Sequence, residues 1–229
     1  MERELYRELM NTRKSRNIDL LKQLYENNSD NLMIKFEYAK RLKSIDLNMA
    51  KKLLNELIGT SNENYALMEL GIIEKSIGNY NLASKYFNDI LNNDMATDND
   101  RNCALLELGK IEVSMGNINR AHQYFNEVIG SSNECYALLE LGKLEFKFGD
   151  KDAAGEIFKK VINSKCGDYA LLWLGRIEAI QGNNLNAMLY FNELLNTPLR
   201  RFASIEIEKI RIKQSEDGKC LKKNFRRKR

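Results

Sequence analysis

Proline is nearly absent: Pro198 is the only one in 229 residues. With 13 glycines, that excludes collagen-like and proline-rich architectures and argues against a β-sandwich, which needs many turns. Histidine is equally scarce. His122 alone excludes a histidine-rich metal site and any mechanism that needs two imidazoles. Cys103, Cys135, Cys166 and Cys220 include no Cys-x-x-Cys pair. The chain is also longer and poorer in cysteine than a secreted disulfide scaffold. The longest apolar run is about Ala170 to Leu174, far short of a membrane span. No secretory pattern follows the charged start Met1-Glu-Arg-Glu-Leu-Tyr-Arg-Glu. The reading expected from these absences is a cytoplasmic protein with free thiols and no transmembrane segment. Phosphate-loop, dinucleotide and nucleophile-elbow motifs are missing too, so neither a catalytic residue, nor a cofactor, nor a metal is expected.

What is present is helix-forming: 43% hydrophobic and 30% charged residues, with leucine, glutamate, lysine and alanine prominent. The charge is uneven. Twelve of the 36 basic residues but four of the 32 acidic ones lie in 200–229. That segment carries +8 and the remainder −4.

The strongest signal is internal repetition. Four segments align without gaps, beginning at Tyr65 (YALMELGIIEKSIGNYNLASKYFNDIL), Cys103 (CALLELGKIEVSMGNINRAHQYFNEVI), Tyr136 (YALLELGKLEFKFGDKDAAGEIFKKVI) and Tyr169 (YALLWLGRIEAIQGNNLNAMLYFNELL). Gly71, Gly109, Gly142 and Gly175 recur at spacings of 38, 33 and 33, as do Ala83, Ala121, Ala154 and Ala187. A degenerate copy precedes them, with Ala39 in the glycine position and Ala50 33 residues before Ala83. Within each unit apolar residues recur at three- and four-residue steps, the helical period. Gly-Asn or Gly-Asp interrupts them at Gly78, Gly116, Gly149 and Gly182, where glycine is expected to take the left-handed conformation that ends a helix. Each unit therefore reads as a leading helix, a tight turn and a trailing helix. Glycine within the leading helix costs about 1 kcal/mol against alanine, so another backbone is expected to come close there. Phe87, Phe125, Phe158 and Phe191, four residues after each repeated alanine, fill the gap beside it.

The Leu-Gly pair, the turn, and Ala and Phe at fixed offsets resemble the tetratricopeptide repeat. The resemblance spans about three quarters of the chain. It departs from the family where Leu67, Leu105, Leu138 and Leu171 replace an early tryptophan. Glu74, Glu112, Glu145 and Glu178 replace a tyrosine, and the closing proline is mostly missing. The resemblance implies an all-α, right-handed α-solenoid of stacked helix-turn-helix repeats. The expected division is an N-terminal helical pair or cap at 1–30 and five repeats at about 31–62, 63–100, 101–133, 134–166 and 167–198. A capping helix at 199–214 and a basic, disordered tail at 215–229 follow. Residues 92–102 carry a five-residue insertion, expected as a longer loop. The periodic glutamates are expected to serve contacts between repeats.

The resemblance also implies a groove lined by leading helices, for a peptide or helix of a partner protein. The matching positions form columns: Tyr65, Cys103, Tyr136 and Tyr169; Met68, Leu106, Leu139 and Leu172; Ile72, Lys110, Lys143 and Arg176; and Lys75 with Phe146. An aromatic edge, an apolar stripe and a row of cations suit a ligand with apolar and acidic groups. Trp173 takes the place held by Glu69, Glu107 and Glu140, as an anchor for the partner or as packing against the capping helix. Because that column lacks asparagine, the family's grip on a C-terminal carboxylate is not expected. The tail cations Lys222, Lys223, Arg226, Arg227, Lys228 and Arg229 suggest the alternative, attachment to nucleic acid or another anionic surface. Partner identity and oligomeric state do not follow from the sequence.

Overall fold

The computed structural model describes the backbone of residues 2–15 and 17–227 and the side chains of residues 3–15 and 17–215. Those residues form thirteen α-helices and no strand. They are α1 (Glu2–Ser15), α2 (Ile18–Asn27), α3 (Leu32–Leu42), α4 (Leu47–Asn55), α5 (Glu63–Ser76), α6 (Tyr80–Asn92) and α7 (Asp98–Met115), then α8 (Ile118–Glu127), α9 (Glu134–Phe148), α10 (Lys151–Val161), α11 (Gly167–Ile180), α12 (Asn184–Glu193) and α13 (Arg200–Arg227). They divide into two compact units, Met1–Met115 and Gly116–Arg229. The third repeat contributes α7 to the first unit and α8 to the second.

Side-chain caps fix several starts. Asn17 accepts from the amides of Asp19 and Leu20, Asn31 from Met33 and Ile34, and Asp46 from Met49. Such caps each contribute about 1 kcal/mol. The turns expected to need glycine divide. Gly78, Gly116 and Gly182 have φ between +82° and +85°, but Gly149 has φ −127°. There Asp150 caps α10 by accepting from the Asp152 amide at 2.8 Å, which Asn79, Asn117 and Asn183 do not do for their helices. The insertion before α7 is largely not a loop. It lengthens α7 to 18 residues, nucleated by a reciprocal cap in which Asp100 accepts from the Thr97 amide and hydroxyl while Thr97 Oγ1 accepts from the Asp100 amide.

Each unit builds its core from the repeated positions. In the first, Leu9, Leu21, Ile34, Ala39, Leu54, Ala66 and Leu70 form one buried cluster. In the second, Phe158, Cys166, Ala170 and Leu174 lead into Ala187, Phe191, Ala203, Ile207 and Ile210. Three of the repeated glycines meet rings rather than backbone. A methyl added at Gly71, Gly142 or Gly175 would lie 2.5–2.6 Å from Cε1 of Phe87, Phe158 or Phe191. Each of these phenylalanines is fully buried, worth about 1.5–3 kcal/mol apiece.

Two of the periodic glutamates, Glu74 and Glu145, join successive hairpins. Glu74 on α5 pairs with Lys51 on α4 and accepts from Asn79 Nδ2 at 2.8 Å. In the second unit Glu145 on α9 faces His122 on α8 at 3.4 Å. Lys51 and His122 each directly follow the repeated alanine of a trailing helix, so one geometry is used twice. Burial alone would raise the Glu74 pKa, yet the hydrogen bonds from Lys51 and Asn79 and the Lys51 charge hold it below 4.5. A depressed carboxylate pKa contributes stability above its unfolded value and loses it as pH falls through the folded one. The melting temperature is therefore expected to drop as pH is lowered from about 5 toward 3. Lys51→Met should flatten that drop. Equal slopes for both proteins in calorimetry would refute the linkage.

At the C-terminus α13 continues helical to Arg227, so the expected capping helix and the expected disordered tail form one helix as far as the description reaches. The segment has good helix formers and no proline, with Gly218 its only breaker. Ala203, Ile207 and Ile210 are buried on one side, while Phe202, Ile205 and Ile212 are about half exposed. Glu208, 33 residues after Gly175, occupies the glycine position of this helix, and its side chain is 60% exposed.

Candidate functional site

Leading helices place the residues of the expected groove, and each unit carries its own portion. In the first unit Tyr65 at the start of α5 is about half exposed, while Met68, Ile72 and Lys75 on the same helix and Cys103 and Lys110 on α7 are half-buried. In the second, Tyr136 and Tyr169 are exposed near the starts of α9 and α11, and Lys143, Phe146, Trp173 and Arg176 are half-buried. The apolar stripe is corrected. Leu106, Leu139 and Leu172 are buried, so they belong to the core; among the four expected positions, only Met68 is partly open.

Trp173 packs toward the preceding repeat. Its ring lies edge-on to Phe146 at 5.0 Å and stacks on Phe158 at 5.9 Å, with the Arg176 guanidinium 4.9 Å from its centroid. A second cation–π contact sets Lys165 4.6 Å over Tyr136.

The cations have partners that the sequence reading missed. Each is set against a carboxylate of the Glu37, Glu69, Glu107, Glu140 and Glu206 column. In four cases a cation on a leading helix, or just past its end, reaches the carboxylate on the next: Arg13 to Glu37, Lys43 to Glu69, Lys75 to Glu107, and Arg176 to Glu206 at 2.9 Å. Lys110, Lys143 and Lys209 add contacts of 2.8–3.0 Å from three residues along the same helix as their glutamates. A basic position 24–32 residues before an acidic one was the available signal.

These pairs are layered. The side chains of Glu37, Glu69 and Glu107 are 13–15% exposed, whereas Arg13, Lys40, Lys43, Lys75 and Lys110 are 25–40% exposed. The carboxylates lie beneath and the cations outside. Five cations over three carboxylates leave this face of the first unit with net positive charge. In the second unit Lys143, Arg176 and Lys209 likewise stand over Glu140 and Glu206. Burial opposes ionisation of Glu107, but Lys110 and Lys75 together hold its pKa below the ordinary value. Glu107 therefore remains ionised at neutral pH.

Cys135 and Cys166 are buried and form no disulfide; burial, and then a hydrogen bond between the Cys166 thiol and Cys135, pushes the Cys166 thiol up to about 12. Among the described residues, no group of three or more His, Cys, Asp or Glu side chains is placed to hold a metal ion, and no helix is long and apolar enough to cross a membrane. Lys222, Lys223, Arg226 and Arg227 lie on the helical backbone of α13, but their side chains, and Lys228 and Arg229 entirely, fall outside the described residues.

The tetratricopeptide repeat family model matches residues 136–164. No curated protein matches the chain. Among solved structures, a tetratricopeptide repeat protein from Parabacteroides merdae ATCC 43184 aligns at 18% identity with a TM-score of 0.70, over 89% of this chain and 80% of its own. PilW, described as a widely conserved type IV pilus biogenesis factor, aligns at 15% identity and a TM-score of 0.64, over 88% and 94%. The human IFIT1 dimer with PPP-AAAA aligns at 16% identity and a TM-score of 0.70, over 87% of this chain. The present chain spans about half of IFIT1's length (50%). At these identities the likeness is one of fold, the all-α solenoid of helix-turn-helix repeats.

Proposed function

We propose that this chain, a tetratricopeptide-repeat protein, is a noncatalytic protein-interaction scaffold whose leading-helix faces bind a peptide or helix of a partner bearing apolar and acidic groups. The observation that carries the reading is the layered charge. Cations stand outward over less exposed carboxylates and beside the exposed Tyr65, Tyr136 and Tyr169. An acidic ligand meets the cations first, which favours its orientation and on-rate, while contact with tyrosine supplies affinity. The carboxylates of the Glu37, Glu69, Glu107, Glu140 and Glu206 column are engaged in ion pairs between and within helices, which supports a scaffold rather than acid–base chemistry. Cytoplasmic location belongs to the same proposal.

The test is capture of a partner by the full chain and by Lys110→Glu with Lys143→Glu. Reversing two outward charges beside Glu107 and Glu140 is expected to abolish capture of an acidic partner, while circular dichroism at 222 nm retains its helical signal. Undiminished capture by the double variant would refute the groove.

A second reading rests on the seven cations and no acid in 219–229: attachment to nucleic acid by phosphate neutralisation, in a fold shared with a protein whose structure holds PPP-AAAA. Deletion of 215–229 should then remove salt-sensitive binding to an RNA oligonucleotide. Binding that survives the deletion would count against this reading.

A further inference from the structure

The first unit holds a recess that belongs to none of the expected groove columns as a whole. It measures about 390 Å³ and lies between α1, α3 and α5. Phe36 and Tyr65 form its aromatic side, with ring centroids 5.8 Å apart, and Met33 and Met68 complete the apolar lining. Polarisable thioethers beside aromatic rings favour an aromatic guest. The volume sits at the small end of ligand recesses, room for one large side chain and its neighbours rather than for a helix.

Two basic groups rim this recess. Arg13 of α1 gives its guanidinium to Glu37, and among the described residues its buried Nε finds no acceptor. Lys40 is less committed. Glu69 is already held closely by Lys43, and Lys40 stands 4.0 Å from the other carboxylate oxygen, 40% exposed, its ammonium 5.3 Å over the Phe36 ring. A cation with a distant partner, poised at an aromatic wall, complements an anion brought in beside an aromatic guest.

We propose that this recess receives an aromatic side chain of a partner peptide that carries an acidic residue next to it, so that α1 and the degenerate first repeat form a specificity site rather than only an end cap. The assignment rests on the scaffold reading and refines it: it names the side chain that the partner must present and places it at the N-terminal hairpins.

Methionine-methyl NMR on the full chain tests it, with Met33→Leu and Met68→Leu assigning the two signals. The probe is a five-residue blocked peptide with tryptophan flanked by two aspartates. Both methyl signals are expected to shift on titration. The same peptide with asparagines in place of the aspartates should bind roughly three- to fivefold more weakly. Lys40→Gln should erase that difference, and Phe36→Leu should weaken both peptides. Unmoved methyl signals, or equal affinity for the aspartate and asparagine peptides, would overturn the site. So would N-acetyltryptophan binding as tightly as the peptide, since the flanking chain would then contribute nothing. The wider groove is separable: a partner lost on Lys110→Glu with Lys143→Glu but kept by Phe36→Leu with Lys40→Gln sinks this recess alone.

Discussion

Phe158→Ala is expected to destabilise the second unit by about 3–5 kcal/mol, the range for removing a fully buried aromatic ring. The ring is inaccessible to solvent, lies against Gly142 and stacks on Trp173. Its loss therefore opens a cavity bounded by two helices besides its own. Because Trp173 is the only tryptophan in the chain, its fluorescence during guanidinium unfolding reads this neighbourhood selectively. Glu156→Ala on the same helix is the control. Its side chain is 70% exposed, and such changes stay within about 0.5 kcal/mol. A Phe158→Ala midpoint as little moved as the control's would mean that the repeats do not depend on the phenylalanine column.

The complementary change fills rather than empties. Gly142→Leu should cost about 1–3 kcal/mol by overpacking, since even its first side-chain atom would come within 2.6 Å of the Phe158 ring. Gly155 on α10 supplies the contrast. There an added methyl meets only the Ile177 Cδ1 at 3.9 Å, so Gly155→Ala should gain about 1 kcal/mol from helix propensity. Combining Gly142→Leu with Phe158→Leu should recover part of the loss, giving a coupling of about 0.5–3 kcal/mol between touching residues. Strict additivity in thermal melts would contradict the direct contact. Opposite signs at two glycines of one unit separate close approach from mere helical placement.

Periodicity made the helices legible because burial repeats with the hairpin. The starts at Tyr80, Ile118, Lys151 and Asn184 all follow from the turn residues. Departures occur where local chemistry outweighs the repeat. Asp150 caps its helix with its own carboxylate and leaves Gly149 outside the left-handed region. Thr97 and Asp100 nucleate extra turns of α7 out of an apparent insertion. At the candidate site the columns were visible, but depth within them was not. Leu139 and Tyr136 lie three residues apart on one helix, yet one is covered by neighbouring helices and the other faces water. The ion pairs were hidden for a related reason. Lys43 and Glu69 are remote along the chain, and only the stacking of α5 on α3–α4 brings them together. The recess was missed because Phe36 and Met33 sit in the least regular copy.

Glu208 has a consequence for anyone wishing to extend the molecule. At the equivalent site each hairpin of the second unit offers a bare α-carbon on which an incoming ring can seat; α13 offers a charged stem instead. Grafting another consensus module after Ile212 would therefore misfit at residue 208 until it were trimmed to glycine.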